Sequence, residues 1–156
     1  MDEITIGTLL DALKHPSETT REQATQSLWQ SWFGQKGDWG LTMLNQSQSA
    51  IESGDLDRAE IILSDLVRSQ PDFAEAWNRR AVLHYVQENY AAALVDCNQT
   101  INLVPYHFGA LHGLGLCHLA LENYREAIQS FRRALEIQPY AMVNQKLILE
   151  CTVHLS

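Results

Sequence analysis

Histidine and cysteine are the residue types in this sequence that could bind a metal ion or supply a nucleophile and its base. The chain has six histidines and three cysteines. Metal sites and nucleophile–base pairs need such side chains at fixed spacings on one face of an element. No two histidines show the H-x-x-x-H spacing, and no cluster of histidines and cysteines has zinc-site spacing. Cys117 and His118 are adjacent, so they point in different directions on a helix.

The glycine-rich run HFGALHGLG, which contains Gly113 and Gly115, has the composition of a phosphate-binding loop. Such loops follow a strand and end in Gly-Lys-Ser or Gly-Lys-Thr, and this run has neither feature. No G-x-S-x-G turn presents a serine nucleophile. We therefore predict no catalytic residue, no metal and no cofactor, and we expect that the protein is not an enzyme.

An internal repeat of 34 residues organises the chain. Pro71, Pro105 and Pro139 follow this spacing. Four further columns keep it: Ala59, Ala93 and Ala127; Ser47, Ala81 and Gly115; Leu56, Tyr90 and Tyr124; and Leu63, Cys97 and Phe131. A fixed period of this length is typical of a solenoid built from stacked units.

Each unit is expected to contain two helices, A and B, because apolar residues recur at helical spacing in two runs separated by a turn. The small residue in each run lets the two helices approach closely. Larger residues fill the surrounding space, namely Met43, Leu63, Trp77, Leu94, Leu111 and Phe131. The proline ends each unit, since it cannot continue helix B. His84 and His118 share one column and are interpreted as rings packed between helices.

Two segments carry a family resemblance. Residues 74–105 (AEAWNRRAVLHYVQENYAAALVDCNQTINLVP) and 109–139 (GALHGLGLCHLALENYREAIQSFRRALEIQP) combine a Trp or Leu, a small residue in the second helix, an aromatic and a closing proline. This pattern resembles the tetratricopeptide repeat (TPR), and residues 40–71 match it more weakly. The resemblance implies an all-α TPR helix-turn-helix solenoid, an α–α superhelix. The segments PDFAEAWN and PYHFGALHGLG are similar in sequence to segments of small bacterial TPR proteins of undefined role.

One continuous domain is expected, with three 34-residue repeats at about 40–73, 74–107 and 108–141, together residues 39–139. Residues 1–38 are predicted to form an N-terminal helical hairpin, either a cap or a degenerate repeat. Its second helix carries an apolar stripe of Ala24, Leu28, Trp29, Trp32 and Phe33. We expect the two tryptophans to pack against the helix at 40–53, with an exposed aromatic patch as the alternative.

Residues 140–156 are predicted to form a C-terminal capping helix. Solenoid units bury their faces only against neighbours, so an end unit needs a helix that covers the last one. We expect this helix to cover helix B of the last repeat with its apolar residues Val143, Leu147, Ile148 and Cys151.

Composition excludes several classes of partner. The net charge of −8 and only three lysines argue against nucleic-acid binding, which needs clustered cations. Three cysteines cannot all pair within one chain, so they are interpreted as reduced thiols in a cytoplasmic protein. The N-terminus has acidic residues where a signal peptide has basic ones. No apolar run approaches the ~20 residues of a membrane span, so no membrane partner is expected.

Peptide-binding residues in the TPR family lie on helix A and line a concave groove. By register, the resemblance places there Asn45, Gln48, Asn78, Arg79, Val82, Tyr85, His112 and Leu116, with Lys146 on the terminal helix. Glu75, Gly109 and Gly113 occupy further groove positions. Arg79 is expected to attract an acidic group of the partner, unless it pairs with Glu75 on its own helix.

One branch of the family binds chaperone C-termini through a clamp of Lys, Asn, Asn, Lys and Arg. The same places here hold Leu44, Gln48, Arg79, Gly109 and the pair His112–Gly113, so this activity is not expected. We predict a protein- or peptide-binding scaffold or adaptor, with an unknown protein or peptide as its partner. It is expected to be a monomer or a weak homo-oligomer. The alternative is a structural homo-oligomer assembled through its end caps or its groove.

Overall fold

The fold is all helical. The computed structural model describes residues 1–156 and contains nine helices and no strand: α1 (Glu3–Ala12), α2 (Glu18–Phe33), α3 (Gly37–Glu52), α4 (Leu56–Ser69), α5 (Ala74–Val86), α6 (Tyr90–Leu103), α7 (Phe108–Ala120), α8 (Tyr124–Ile137) and α9 (Met142–Leu155). The predicted fold class is therefore confirmed. No helix is both long enough and apolar enough to cross a lipid bilayer.

The turns within the pairs α3–α4, α5–α6 and α7–α8 share one backbone geometry. Gly54, Glu88 and Glu122 have positive φ angles of 82°, 59° and 61°. Around each of them two backbone hydrogen bonds close the end of the first helix, such as Glu122 N–H to Leu119 C=O and Asn123 N–H to His118 C=O. This is the Schellman arrangement, which normally favours glycine at the residue with positive φ.

The column of small residues marks the closest contact between paired helices. Ala59, Ala93 and Ala127 are wholly buried. At Gly115, a Cβ atom would lie within 3.0 Å of the Phe131 ring, a distance at which one of the two must move. The absence of a side chain at Gly115 therefore lets the Phe131 ring lie directly on the backbone of α7.

The large residues expected around this contact are buried to different extents. Leu63, Leu111 and Phe131 are buried in the core. Trp77 is only half-buried, since its indole Nε1 donates a hydrogen bond to the Pro71 carbonyl oxygen, 2.9 Å away, at the edge of the helix pair. Trp77 is thus a rim residue rather than a central core residue.

The predicted packing of Trp29 and Trp32 is wrong. Their helix, α2, does not stack on α3 as a preceding repeat would. Instead Trp32 stacks on the His107 ring at a centroid distance of 4.0 Å, and Trp29 meets the Phe108 ring edge-on at 5.5 Å. Phe33, at the end of α2, packs against the core cluster that contains Leu44 of α3. The tryptophans are packed, as expected, but against the start of α7.

Contacts of polar side chains hold both ends of α2 against other parts of the fold. Beyond its C-terminus, the Gln35 side chain donates to the Asp72 carbonyl oxygen (2.8 Å) and accepts from the Ala74 backbone N–H (3.3 Å) at the start of α5. Near its N-terminus, the Arg21 guanidinium lies 4.0 Å from the centre of the Tyr140 ring, just before α9. α2 therefore crosses the N-terminal ends of α5 and α7 and reaches the segment before α9.

The C-terminal helix α9 packs on the last pair. Cys151 is wholly buried, and Leu147 and Ile148 pack with it against Phe131. Val143 is 53% exposed, so its expected contribution to this contact is wrong. Val143 lies in the first turn of α9, where Met142 is exposed as well.

A paired substitution in α7 tests the close helix contact. Gly115→Ala should lower the free energy of unfolding by about 1–3 kcal/mol, because its methyl group overlaps the Phe131 ring. Gly113→Ala is the control, since its Cβ would lie 3.4 Å from the Cys97 Sγ atom and meet nothing closer. The control should raise stability by up to about 1 kcal/mol through helix propensity. Urea unfolding of both variants measures this, and equal effects would show that the helix contact is misplaced.

The turn geometry gives a second test. Glu122→Gly should raise the free energy of unfolding by about 1 kcal/mol, because a side chain at positive φ is strained and glycine is not. Gly54→Ala, at φ 82°, should lower it by a similar amount. Thermal unfolding followed by circular dichroism compares the two. A loss of stability in Glu122→Gly would be incompatible with the positive φ at this turn.

Candidate peptide-binding groove

A cavity of about 310 Å³ lies on the concave face between α5 and α7. Its walls come from both helices, from α2 and from α6. The lining residues are Trp29, Asn78, Arg79, Ala81, Val82, Tyr85, Cys97, Gly109, His112, Gly113, Leu116 and Cys117. Most of them are apolar, so the cavity can remove an apolar side chain of a ligand from water.

Six of the nine predicted groove residues line this cavity: Asn78, Arg79, Val82, Tyr85, His112 and Leu116. Asn45 and Gln48 line a neighbouring cleft between α2 and α3, which Arg79 also borders. Lys146 lines neither and lies exposed on α9. The register implied by the repeats therefore brings the residues of α5 and α7 together around one cavity and leaves Lys146 outside.

Arg79 pairs within the fold, which is the alternative to ligand recruitment that the sequence left open for this residue. Its Nε lies 3.3 Å from Glu75 Oε1, and its Nη1 donates to Gln48 Oε1 over 2.7 Å. The Phe33 ring of α2 lies 4.9 Å from the guanidinium carbon. Three elements thus use the Arg79 cation internally, and a charge reversal at this position would disturb the fold as well as the groove.

Glu75, which the register places in the groove, is wholly buried. Its Oε2 lies 3.0 Å from His107 Nε2, and its Oε1 accepts a hydrogen bond from Asn78 Nδ2 at 3.1 Å. His107 Nδ1 accepts from the Ala110 backbone N–H and caps α7. Because Nδ1 accepts, Nε2 carries the ring proton and donates to Glu75. This buried pair joins α5 to α7 beneath Trp32.

His112 has one ring nitrogen engaged and one available. Nδ1 lies 2.7 Å from Oδ1 of Asn144, a buried residue of α9, so it donates this hydrogen bond. Nε2 makes no hydrogen bond within the chain. His112 therefore offers the cavity a hydrogen-bonding nitrogen whose orientation is held by α9.

A second buried polar group joins α5 to α6 outside the cavity. Arg80 donates two hydrogen bonds to the Asp96 carboxyl group, at 2.8 and 2.9 Å. His84 Nε2 lies 3.5 Å from the same carboxyl group. His84 therefore does more than replace an aromatic ring, since its Nε2 also faces this carboxyl group. None of the three residues lines the cavity, which indicates a structural role.

Sequence reasoning missed four residues of the cavity wall: Trp29, Ala81, Cys97 and Cys117. Trp29 belongs to α2, whose placement depends on contacts with a distant part of the chain. Cys97 shares its repeat column with Leu63 and Phe131, which are core residues. Cys117 precedes His118 and carried no spacing signal. No group of three or more His, Cys, Asp and Glu side chains has the arrangement of a metal site.

Comparison with known proteins supports the repeat pattern. A family model described as tetratricopeptide repeat matches residues 72–139, which include α5–α8. A TPR repeat-containing protein of Rhizobium etli is 32% identical over 108 residues, covering 69% of this chain and 53% of that protein. Anaphase-promoting complex subunit 7 of Dictyostelium discoideum is 29% identical over 87 residues, covering 56% of this chain and 15% of that protein. The chain thus spans about half of the first relative and a small part of the second.

Solved TPR domains share the fold. The first TPR domain of Spaghetti (RPAP3), bound to the HSP90 peptide SRMEEVD, superposes with a TM-score of 0.71 and 21% identity over 74% of this chain and 91% of that one. The yeast Sti1 TPR2B domain in complex with an Hsp70 peptide has a TM-score of 0.65 and 15% identity over 72% of this chain and 98% of that one. Residues 72–139 therefore consist of tetratricopeptide repeats, and the fold of the chain is that of solved TPR domains.

Proposed function

We propose that this protein is a non-catalytic adaptor that binds an apolar segment of a partner protein in the cavity between α5 and α7. The observation that carries the proposal is the cavity itself. It combines apolar walls from Val82, Tyr85 and Leu116 with a few polar groups, among them His112. This composition is typical of sites that bury a ligand side chain and orient its backbone.

The relatives favour a protein partner over a small molecule. Two solved neighbours, the Spaghetti (RPAP3) domain and the Sti1 domain, are complexes with HSP90 and Hsp70 peptides. The chemistry of the ligand here is expected to differ from an acidic peptide. Arg79 is paired with Glu75, and Leu44 and Gly109 stand where the clamp of that branch has basic or amide side chains.

Helix α2 restricts how a ligand can lie in the groove. A Cβ atom at Gly109 would lie 2.7 Å from Trp29 Cη2, so the indole rests on the backbone of α7. Trp29 thereby closes the side of the cavity that faces the start of α5 and α7. A ligand would contact Trp29 on one side and approach from the opposite side, where Tyr85 and Val86 are exposed. We infer that a short segment inserting one or two apolar side chains fits best.

Gly113 gives the proposal a further support. Alanine would fit there and would favour the helix, since only Cys97 Sγ lies within 4 Å of the added carbon. Helix packing does not require glycine at this position. Compared with alanine, glycine makes the cavity larger by the volume of one methyl group. Space for a ligand side chain therefore explains the glycine at this groove position, whereas helix packing does not.

A homo-oligomer is a second candidate, and one observation favours it. The outer face of α9 carries exposed apolar residues one to two turns apart, including Leu149 at 67% exposure and Val153 at 71%. In the preceding A helices the column of Leu149 holds Ala81 and Gly115, which are covered by their own B helices. A second copy could cover this face of α9. A monomeric or weakly associating protein in a bacterial cytoplasm remains the first proposal.

Photo-crosslinking tests the adaptor function at named positions. Peptides are selected from a random phage library on the purified protein, and benzoylphenylalanine is placed either at Val82 in the cavity or at Val95 on α6. Both side chains are exposed, and Val95 does not line the cavity. The selected peptides should crosslink at Val82 and not at Val95. Equal crosslinking at both positions would refute binding in the cavity.

Gly113→Ala supplies the matched variant for the same peptides. Its methyl group should weaken the affinity by about fourfold or more, the equivalent of one lost CH₂ burial, while stability stays equal or rises. Isothermal titration measures the affinity. Peptides whose affinity is unchanged in Gly113→Ala would move the binding site elsewhere.

The second candidate, the homo-oligomer, is tested by sedimentation. A dimer that Leu149→Glu abolishes would support assembly through α9.

A further inference from the structure

Two of the three cysteines lie together in the wall of the cavity. Cys97 comes from α6 and Cys117 from α7, and both line the same space of about 310 Å³. They are only 2% and 1% exposed, so solvent reaches them through the cavity alone. Gly113 leaves the Cys97 sulfur accessible, since an added Cβ would sit 3.4 Å above it. Cys151, the third cysteine, is buried in a different cluster on α9.

The two thiols differ in acidity because each acts on the other. The pKa of Cys117 is lowered, since the Cys97 thiol donates a hydrogen bond to its sulfur. The pKa of Cys97 is raised well above the usual range, first by this hydrogen bond to Cys117 and then by burial. A proton is therefore lost from Cys117 first, while Cys97 keeps its own. Burial raises the pKa of the isolated Cys151 thiol.

We propose that Cys97 and Cys117 form a redox-active dithiol, which a hydroperoxide entering the cavity converts to an intramolecular disulfide. Hydrogen peroxide is small enough for this space, which would hold several water molecules at about 30 Å³ each. Neither thiol belongs to a metal site, so both are available for this chemistry.

The reaction proceeds in two balanced steps. The Cys117 thiolate attacks one peroxide oxygen, an S–O bond forms, the O–O bond breaks, and hydroxide leaves and takes up a proton as water. The Cys97 thiol then attacks the sulfenic sulfur of Cys117, forming the S–S bond, and the departing hydroxyl group leaves with the Cys97 proton as a second water. Two thiols are oxidised to one disulfide, and one peroxide is reduced to two waters.

The disulfide would act on the groove as well as on the thiols. It would tie α6 to α7 and draw both sulfurs into one bond, which changes the shape of the cavity wall around Gly113. This consequence rests on the proposed binding function of the cavity. Formation of the disulfide does not rest on the binding function, so experiments can refute the disulfide and the binding function separately.

Mass spectrometry of the whole chain after hydrogen peroxide treatment is the test. Both cysteines fall in one tryptic peptide, residues 81–125, whereas Cys151 falls in another, residues 147–156. Peptide 81–125 should lose two hydrogen atoms, resist alkylation and regain both thiols with dithiothreitol. Cys151→Ser should behave like the parent, which makes it the matched control.

Single variants distinguish the two roles. Cys117→Ser should react with peroxide roughly tenfold more slowly or worse, because burial still raises the pKa of the remaining Cys97 thiol. Cys97→Ser should accumulate a sulfenic acid at Cys117 that dimedone traps. Direct oxidation of the parent to sulfinic acid, or a disulfide that includes Cys151, would overturn the proposal. If the disulfide forms but the affinity for selected peptides is unchanged, only the coupling to the groove fails.

Discussion

The buried hydrogen bond between His107 and Glu75 holds the functional part of this molecule together. It spans 3.0 Å between two wholly buried side chains and joins α7 to α5. The His107 ring also caps α7 and forms the surface on which Trp32 stacks. Removing one member of such a buried pair leaves the other without a partner, which typically costs about 1–3 kcal/mol or more. This contact therefore helps to fix the relative position of α2, α5 and α7.

This contact explains why the groove differs from the one that the repeats alone imply. Once Trp32 is stacked on His107, Trp29 lies on Gly109 and Phe33 on Arg79. Part of the concave face is thus covered by the chain's own helix, and the Arg79 charge is used within the fold. The open part is a mainly apolar cavity between α5 and α7, with the two cysteines in its wall. This arrangement supports the proposed recognition by apolar burial rather than recognition by charge.

Local and long-range contacts differ in how far the sequence predicts them. The helix pairs follow from spacing, because a small residue in the column of Gly115 and an apolar residue in the column of Phe131 recur at fixed positions within each unit. The orientation of Val82, Tyr85 and Leu116 towards the cavity follows from the same repeat register. The docking of α2 does not, since Trp32 and His107 are far apart in the chain and their ring stacking leaves no periodic signal. The shared position of Cys97 and Cys117 in the cavity wall likewise depends on how two neighbouring pairs meet.

The placement of α2 in the groove is the central claim, and nuclear Overhauser measurements on isotope-labelled protein test it most directly. At 17.7 kDa the chain is suitable for this method. We expect cross-peaks between the Trp32 indole and the His107 ring, and between Trp29 and the α protons of Gly109. Cross-peaks from both tryptophans to Leu44 and its neighbours on α3, with none to His107 or Gly109, would contradict the account. They would show that α2 stacks as a preceding repeat and leaves the concave groove open.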